Sequence, residues 1–212
     1  MTVEVNRWPS AEHALEYLRN ADTIPHRVEG EATLLEFVPR EVSRVLDVGS
    51  GGGRLVALIK TTCPQAEFVA MDFSPTMLET LRERFNEDPR IEIVEHDFSN
   101  ELPDLRRFDG VVSSFAIHHV NHERKCSLYS EIFDLLLPGG VFCNLEHVSS
   151  STSRLHVDFL AKLSLTPEQE DPSNKLLDVG TQLGWLQEIG FEDVDCHWKW
   201  RELALLVGKR PA

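Results

Sequence analysis

No apolar run in this chain approaches the ~20 residues that a helix needs to cross a bilayer; the longest, such as 203–207, are a fraction of that length. The expectation is a protein without a membrane-spanning helix. Basic residues are scarce: 21 Lys and Arg face 35 Asp and Glu, a formal charge of −14. Such a charge repels a phosphate backbone, and the one basic cluster, Lys199, Arg201, Lys209 and Arg210, is short and terminal. Nucleic acid is therefore not the expected partner. The cysteines at 63, 126, 143 and 196 form no Cys-x-x-Cys pair, so neither a zinc site nor a redox pair is spelled out and buried free thiols are expected. Segment 1–8 has Glu4 and Asn6 where a signal peptide carries its apolar run, which makes the cytoplasm the expected compartment. No tract is biased enough to stay unfolded; 42% hydrophobic and 26% charged residues in 212 suit one globular domain with modest additions.

What the chain does have is an alternation of short β-branched or apolar runs with helix-period segments. Strands are expected at 45–48, 68–71, 91–94, 110–113 and 141–146. Met77, Leu78, Leu81 and Phe85, behind a Ser74-Pro75 start, mark one helix, and Leu128, Ile132, Leu135 and Leu136 mark another that Pro138-Gly139-Gly140 should stop. This order predicts an α/β fold with a parallel sheet and helices on both faces. Val194, Cys196, Trp198 and Trp200 alternate with polar residues, and together with 203–207 they are expected to close the sheet edge. Before the sheet, Ala14, Leu15 and Leu18, then Val28, Ala32 and Leu35, suggest two helices forming a cap over 1–40. A second addition, 149–175, reads as an inserted helix with Leu155, Phe159 and Leu163 at four-residue spacing and a mobile loop. Both additions should sit at the carboxyl ends of the strands, where open α/β sheets hold ligands.

The most informative stretch is Val45-Leu46-Asp47-Val48-Gly49-Ser50-Gly51-Gly52-Gly53-Arg54-Leu55, a strand, a glycine-rich turn and an apolar helix. Read as a dinucleotide fingerprint it is defective, because Arg54 stands where the pattern needs Gly or Ala. It also lacks the Gly-Lys-Ser/Thr of a phosphate loop. Asp47 sets a carboxylate at the mouth of the turn, unfavourable beside a pyrophosphate and favourable beside an ammonium or sulfonium. The loop suits a cationic nucleoside.

Asp47-Val48-Gly49-Ser50-Gly51-Gly52-Gly53 resembles motif I of the class I S-adenosylmethionine-dependent methyltransferases. Asp72-Phe73, Glu95-His96-Asp97-Phe98, the run from Phe108 through Ser113, Ser114 and Phe115 to His118-His119, and Leu137-Pro138-Gly139-Gly140 follow in the family's order, so the resemblance covers roughly 45–208. It implies a Rossmann-like, doubly wound, seven-stranded, mostly parallel sheet with its last strand antiparallel, here a 41–212 domain behind the cap. It also implies S-adenosylmethionine as cofactor, S-adenosylhomocysteine as product and a small-molecule acceptor. Asp47, Gly49, Ser50, Gly51, Ser113, Ser114 and Phe98 fall to the cofactor under this resemblance. Asp72 matches the ribose-binding carboxylate, though a dinucleotide fold uses an acidic residue in the same way, and Asp97 matches the adenine contact, with a turn cap as the alternative. Phe73 and Met77 either pack on adenine or belong to the core. Size and additions resemble the compact small-molecule group that includes trans-aconitate methyltransferase.

Methyl transfer from a sulfonium is an in-line displacement, so the protein aligns the reactants, excludes water and removes any proton the nucleophile carries. His118 and His119 follow the fourth strand and titrate near working pH; consecutive residues diverge, so one of them is expected in the cleft. Glu146 and His147 end the fifth strand, and period two again allows one inward side chain. A metal held by His118, His119, His122, Glu146 and His147 has no diagnostic spacing behind it, and none is expected. Arg27 is read as pairing with the cofactor's carboxylate, with an acidic acceptor, or in a surface salt bridge. Trp185 lies off its helix's stripe and, with Trp198 and Trp200, offers apolar surface for the insertion, the core or a homodimer. The sequence thus points to methyl transfer onto O or N of a small molecule, against the alternatives of RNA methylation or cofactor binding without transfer.

Overall fold

A computed structural model describes Trp8 and residues 10–212 of the chain; the cap residues 1–7 and 9, among them Glu4 and Asn6, lie outside the described residues. Helices α1 (Ala11–Asn20) and α2 (Arg27–Phe37) precede the sheet. Then come β1 (Arg44–Val48), α3 (Arg54–Thr62), β2 (Glu67–Asp72), α4 (Pro75–Arg84), β3 (Ile91–Glu95) and β4 (Phe108–Ser114). They are followed by α5 (His122–Leu135), β5 (Leu136–His147), α6 (Ser153–Lys162), α7 (Val179–Ile189), β6 (Glu192–Trp200) and β7 (Leu203–Lys209). The seven strands lie in the order β3-β2-β1-β4-β5-β7-β6. β1 to β5 are mutually parallel, and β7 runs antiparallel to both β5 and β6. The order reverses between β1 and β4, so the turns after those strands face one crevice at the carboxyl edge.

Alternate residues of each strand serve two cores. Val45, Phe68, Ala70, Cys143 and Leu145 pack with Leu34 of α2, Val56 of α3, Leu81 of α4 and Phe159 of α6. Leu46, Val48, Val69, Met71 and Phe142 pack on the other side with Leu128, Tyr129 and Ile132 of α5 and Leu186 of α7. Each such side chain taken wholly out of water contributes ~1.5–3 kcal/mol. The helices start where their caps place them: Asn121 accepts from Arg124 N at 2.8 Å, and Asp178 from Thr181 N at 2.8 Å. Gly190, at φ 115°, ends α7 in the left-handed conformation that glycine tolerates best.

Three local readings change. The buried side of α2 is Arg27, Gly30, Glu31 and Leu34, while Val28 is 66% exposed. The helix lies flat on the sheet, and a Cβ on Gly30 would come within 2.9 Å of both Leu145 and Trp198. Only the inner path of a glycine allows so close a crossing. α5 ends at Leu135, before Pro138-Gly139-Gly140, because Leu136 already pairs with Phe108; residues 137–140 are then passed over before pairing resumes at Gly110 and Val141. In β6 the register shifts between Cys196 and Trp198. Val194 and Cys196 therefore pack toward α7, whereas Trp198 and Trp200 pack on the α2 and α6 side. One extra residue in a strand exchanges the faces, which a strict period of two cannot show. Trp185 packs half-buried against the α5 and α7 core.

Candidate active site

The turn after β1 is built around glycines with positive φ. At Gly49 (φ 71°) a Cβ would lie 2.3 Å from the Ala116 Cβ of the turn after β4, so glycine alone lets the two turns meet. The loop is held from below: Ser50 N donates to Met71 O at 2.8 Å, Ser50 Oγ to Asp47 O at 2.8 Å and Gly51 N to Asp72 Oδ2 at 2.8 Å. Above it opens a cleft of about 980 Å³. Asp47, Gly49, Ser50, Gly51, Asp72 and Phe73 line one side; Met77, Phe98, Ser114, Phe115, His119 and Arg27 line the rest.

Asp47 dominates the electrostatics of this cleft. It is 1% exposed, neither carboxylate oxygen has a hydrogen-bond partner among the described residues, and burial pushes its pKa up to about 7, Ser50 opposing the rise and the charge of Asp72 adding to it. Ser114 Oγ is likewise buried without a partner among the described residues. Unsatisfied buried polar atoms cost free energy unless a ligand meets them. A glycine turn giving close backbone approach, beside an unpaired buried carboxylate, fits a ligand that carries positive charge. Asp72 is differently placed: Oδ1 accepts from Ser74 N at 2.9 Å and Oδ2 from Gly51 N, so the carboxylate braces the loop as well as facing the cleft. Burial raises its pKa, and these amide donors oppose the rise.

Ser113 and Asp97 do not line the cleft, and Arg27 lines it while held by partners of its own. Ser113 is wholly buried and its Oγ donates to Val48 O at 2.8 Å, a tie between β4 and β1. Asp97 caps its own turn, Oδ1 accepting from Ser99 N at 2.9 Å, and is not among the lining residues. Arg27 is buried at 4% exposure. Its Nε donates to Glu31 Oε1 at 2.7 Å, and Nη1 to Tyr17 Oη at 3.1 Å and Ala21 O at 3.3 Å. Arg54 donates to the same Glu31 at 2.7 and 2.8 Å and pairs with Asp22. Two guanidiniums on one buried carboxylate lock α1, α2 and the start of α3 together, which is where the large side chain after the glycine turn goes.

A second cavity of about 600 Å³ adjoins the first, and Trp8, Tyr17, Phe115 and His119 belong to both linings. His118, His147, Phe159, Leu163, Asp171 and Asn174 continue its wall. Both His118 and His119 therefore border it, against the expectation of one, because residues Ile117–His119 form a 3-10 turn rather than a strand end. His118 Nδ1 lies 2.7 Å from Glu146 Oε1, and His119 Nδ1 lies 2.9 Å from Ser173 Oγ. Burial lowers both imidazoles well below the usual histidine range, and the neighbouring histidine charges lower them further. Glu146, wholly buried behind His118, has its pKa raised by burial, which Lys125 partly offsets. His147 is the inward residue of that pair and reaches Glu202 Oε2 at 3.2 Å. Of the five residues weighed as a metal set, His118 and Glu146 pair with each other, His119 meets Ser173, His147 meets Glu202 and His122 lies against Leu176 O at 3.2 Å. Among the described residues no group of three or more His, Cys, Asp or Glu is placed to hold a metal.

Trp8, Tyr17, Asp171 and Asn174 line these cavities without having been singled out for them; Lys125 lies fully buried outside both linings, its Nζ donating to Lys175 O at 3.1 Å. They arrive from segments distant in sequence, and only the placement of 1–40 and 149–175 at the strand ends hinted at them.

A family model described as a methyltransferase domain matches residues 45–140. Trans-aconitate 2-methyltransferase of Methylobacterium radiotolerans is 35% identical over 120 residues, 54% of this chain and 42% of that protein, so the chain spans less than half of that relative. Demethylmenaquinone methyltransferase of Clavibacter sepedonicus is 37% identical over 180 residues, 77% of this chain and 71% of that one. Among solved structures, an O-methyltransferase family protein from Burkholderia thailandensis has a TM-score of 0.75 at 17% identity, covering 97% of this chain and 62% of its own. Human N-acetylserotonin methyltransferase in complex with SAM gives 0.69 at 19% identity, covering 97% and 58%; at such identities the likeness carries the fold. With a relative this similar over most of both chains, and the glycine turn, its carboxylate and the strand order in place, the chain belongs to the class I S-adenosylmethionine-dependent methyltransferases.

Proposed function

We propose that the protein transfers a methyl group from S-adenosylmethionine to an oxygen or nitrogen of a small molecule, with His119 as general base. The observation that carries this reading is the position of His119 in the wall common to the two cavities. When bound, the cofactor supplies an electrophilic methyl on a sulfonium. Asp47 would take the ligand's positive charge, the Gly49 to Gly51 backbone would permit close approach, and Asp72 would accept from the ribose hydroxyls with its remaining lone pairs. Phe73, Met77 and Phe98 supply apolar flanks, and Ser114 Oγ a free hydroxyl. Of the expected 1–40 cap, residues 10–40 cover a domain that fills 41–212, and the insertion at 149–175 closes the acceptor side.

The acceptor enters the second cavity and gives its proton to His119 as it takes the methyl. Burial keeps that imidazole neutral and able to accept. The Ser173 contact fixes one ring nitrogen, which leaves the other for the acceptor. His118, held by Glu146, shapes the neighbouring wall. Replacing His119 by Ala should lower turnover ~100-fold or more with little change in affinity for S-adenosylhomocysteine. Turnover is read as S-adenosylhomocysteine formed with an acceptor found by screening; equal loss of turnover and of affinity would make His119 structural.

A further inference from the structure

The second cavity combines ring walls with one sign of charge. Phe159 is wholly buried and Phe115 nearly so, and the rings of Trp8 and Tyr17 complete the apolar lining with Ile24 and Leu163. Among the described residues no Lys or Arg lines it. Arg27, whose guanidinium stands 5.3 Å from the Phe115 ring centroid, does not line the cavity and donates to Glu31 and Tyr17. Asp171 contributes a carboxylate to the wall, 3.2 Å from His13 Nε2, and Glu146 and Glu202 lie fully buried behind His118 and His147. A carboxylate entering here would lose its water, meet no lysine or arginine and face carboxylates already in place, which opposes it twice. A hydroxyl is suited: it donates to a ring nitrogen and leaves the flat remainder of the molecule against the rings.

From this we infer that the cavity takes an uncharged, ring-bearing hydroxy compound and turns away polycarboxylates. The inference rests on the methyl-transfer reading for its role as acceptor site, but its chemistry is tested by binding alone. The full chain saturated with S-adenosylhomocysteine is titrated calorimetrically with 2-naphthol, 2-naphthoate and trans-aconitate. The expected result is 2-naphthol binding at least about tenfold tighter than 2-naphthoate, with the tricarboxylate weaker still. Leu163→Trp, at a half-buried wall position outside the first cleft, should remove 2-naphthol binding and leave that of S-adenosylhomocysteine intact. Asp171→Asn should narrow the preference for 2-naphthol over 2-naphthoate. Either carboxylate binding as tightly as 2-naphthol, 2-naphthol binding unaffected by Leu163→Trp, or no binding of any probe to the loaded protein would overturn the inference. Failure of S-adenosylhomocysteine itself to bind strikes the methyl-transfer reading instead, and the same three probes on the unloaded chain then decide the cavity's selectivity separately.

Discussion

Asp47 keeps a proton in the folded protein under conditions where an unfolded chain has lost it. Its folded pKa of about 7 lies above the ordinary 3.8, so between those values folding takes up a proton. The stability this group contributes falls as pH rises through that window and is level above it. A ligand ammonium is met by the ionised form, so affinity for S-adenosylhomocysteine, a thioether whose positive charge is its α-ammonium, should rise about tenfold from pH 6 to 8, with proton release seen as buffer-dependent heat. Asp47→Asn should flatten the profile, and a slope unchanged in that variant would remove the assignment. Asp72 faces the same cleft but is braced by amides, so it does not substitute. The placement of Asp47 and Gly49 at the cleft was legible in the sequence because their motif is contiguous and its geometry local, and that of Asp72 because it ends the next strand, β2. The division of labour among His118, His119, Glu146 and His147 was not, because a 3-10 turn, rather than a strand period, aims the first two.

The segment after α6, expected as a mobile loop, is fastened to the site at several points. Lys175 N donates to His118 O at 2.7 Å, Ser173 meets His119, and His156 lies 3.0 Å from Glu170 and 3.1 Å from Glu202. Burial pulls the His156 pKa down, but Glu202 and Glu170 outweigh it and leave it raised above 6.5. A histidine raised on folding stabilises fully below its unfolded pKa and stops doing so as pH climbs through the folded one. Amide exchange across 163–178, corrected for intrinsic rates, should therefore be slower at pH 6 than at pH 8, and His156→Gln should erase the difference; equal protection at both pH values in the parent protein would disprove the clamp. Helix and strand periodicity located α6 and its neighbours to within a few residues. It misjudged the inner face of α2 and the faces of β6, since Gly30 and the shift at Cys196 express a crossing and a bulge, and neither is written in the spacing of apolar residues.

Across the whole molecule, two additions meet over a crevice that the order of β1 and β4 creates, and a ligand there touches α1, the glycine turn and the turn after β4 together. Binding to the folded state alone contributes about 2.7 kcal/mol at a hundred times Kd, which for a chain of this size raises Tm by roughly 5–10 °C. S-adenosylhomocysteine should produce such a shift and NADH none; a shift with NADH would contradict the reading of Asp47 and Arg54. The parallel sheet was legible from the alternation of elements, whereas the joining of α2 to α3 through Glu31 was not, because residues 31 and 54 meet only once the chain has folded. Trp8, Tyr17, Phe115 and His119 form a party wall between two cavities. Whatever one occupant does to that wall, the other must feel by an equal factor in return. The two affinities are then a single linked quantity, and a donor-side product lingering in its cleft would also set how readily the next acceptor is admitted.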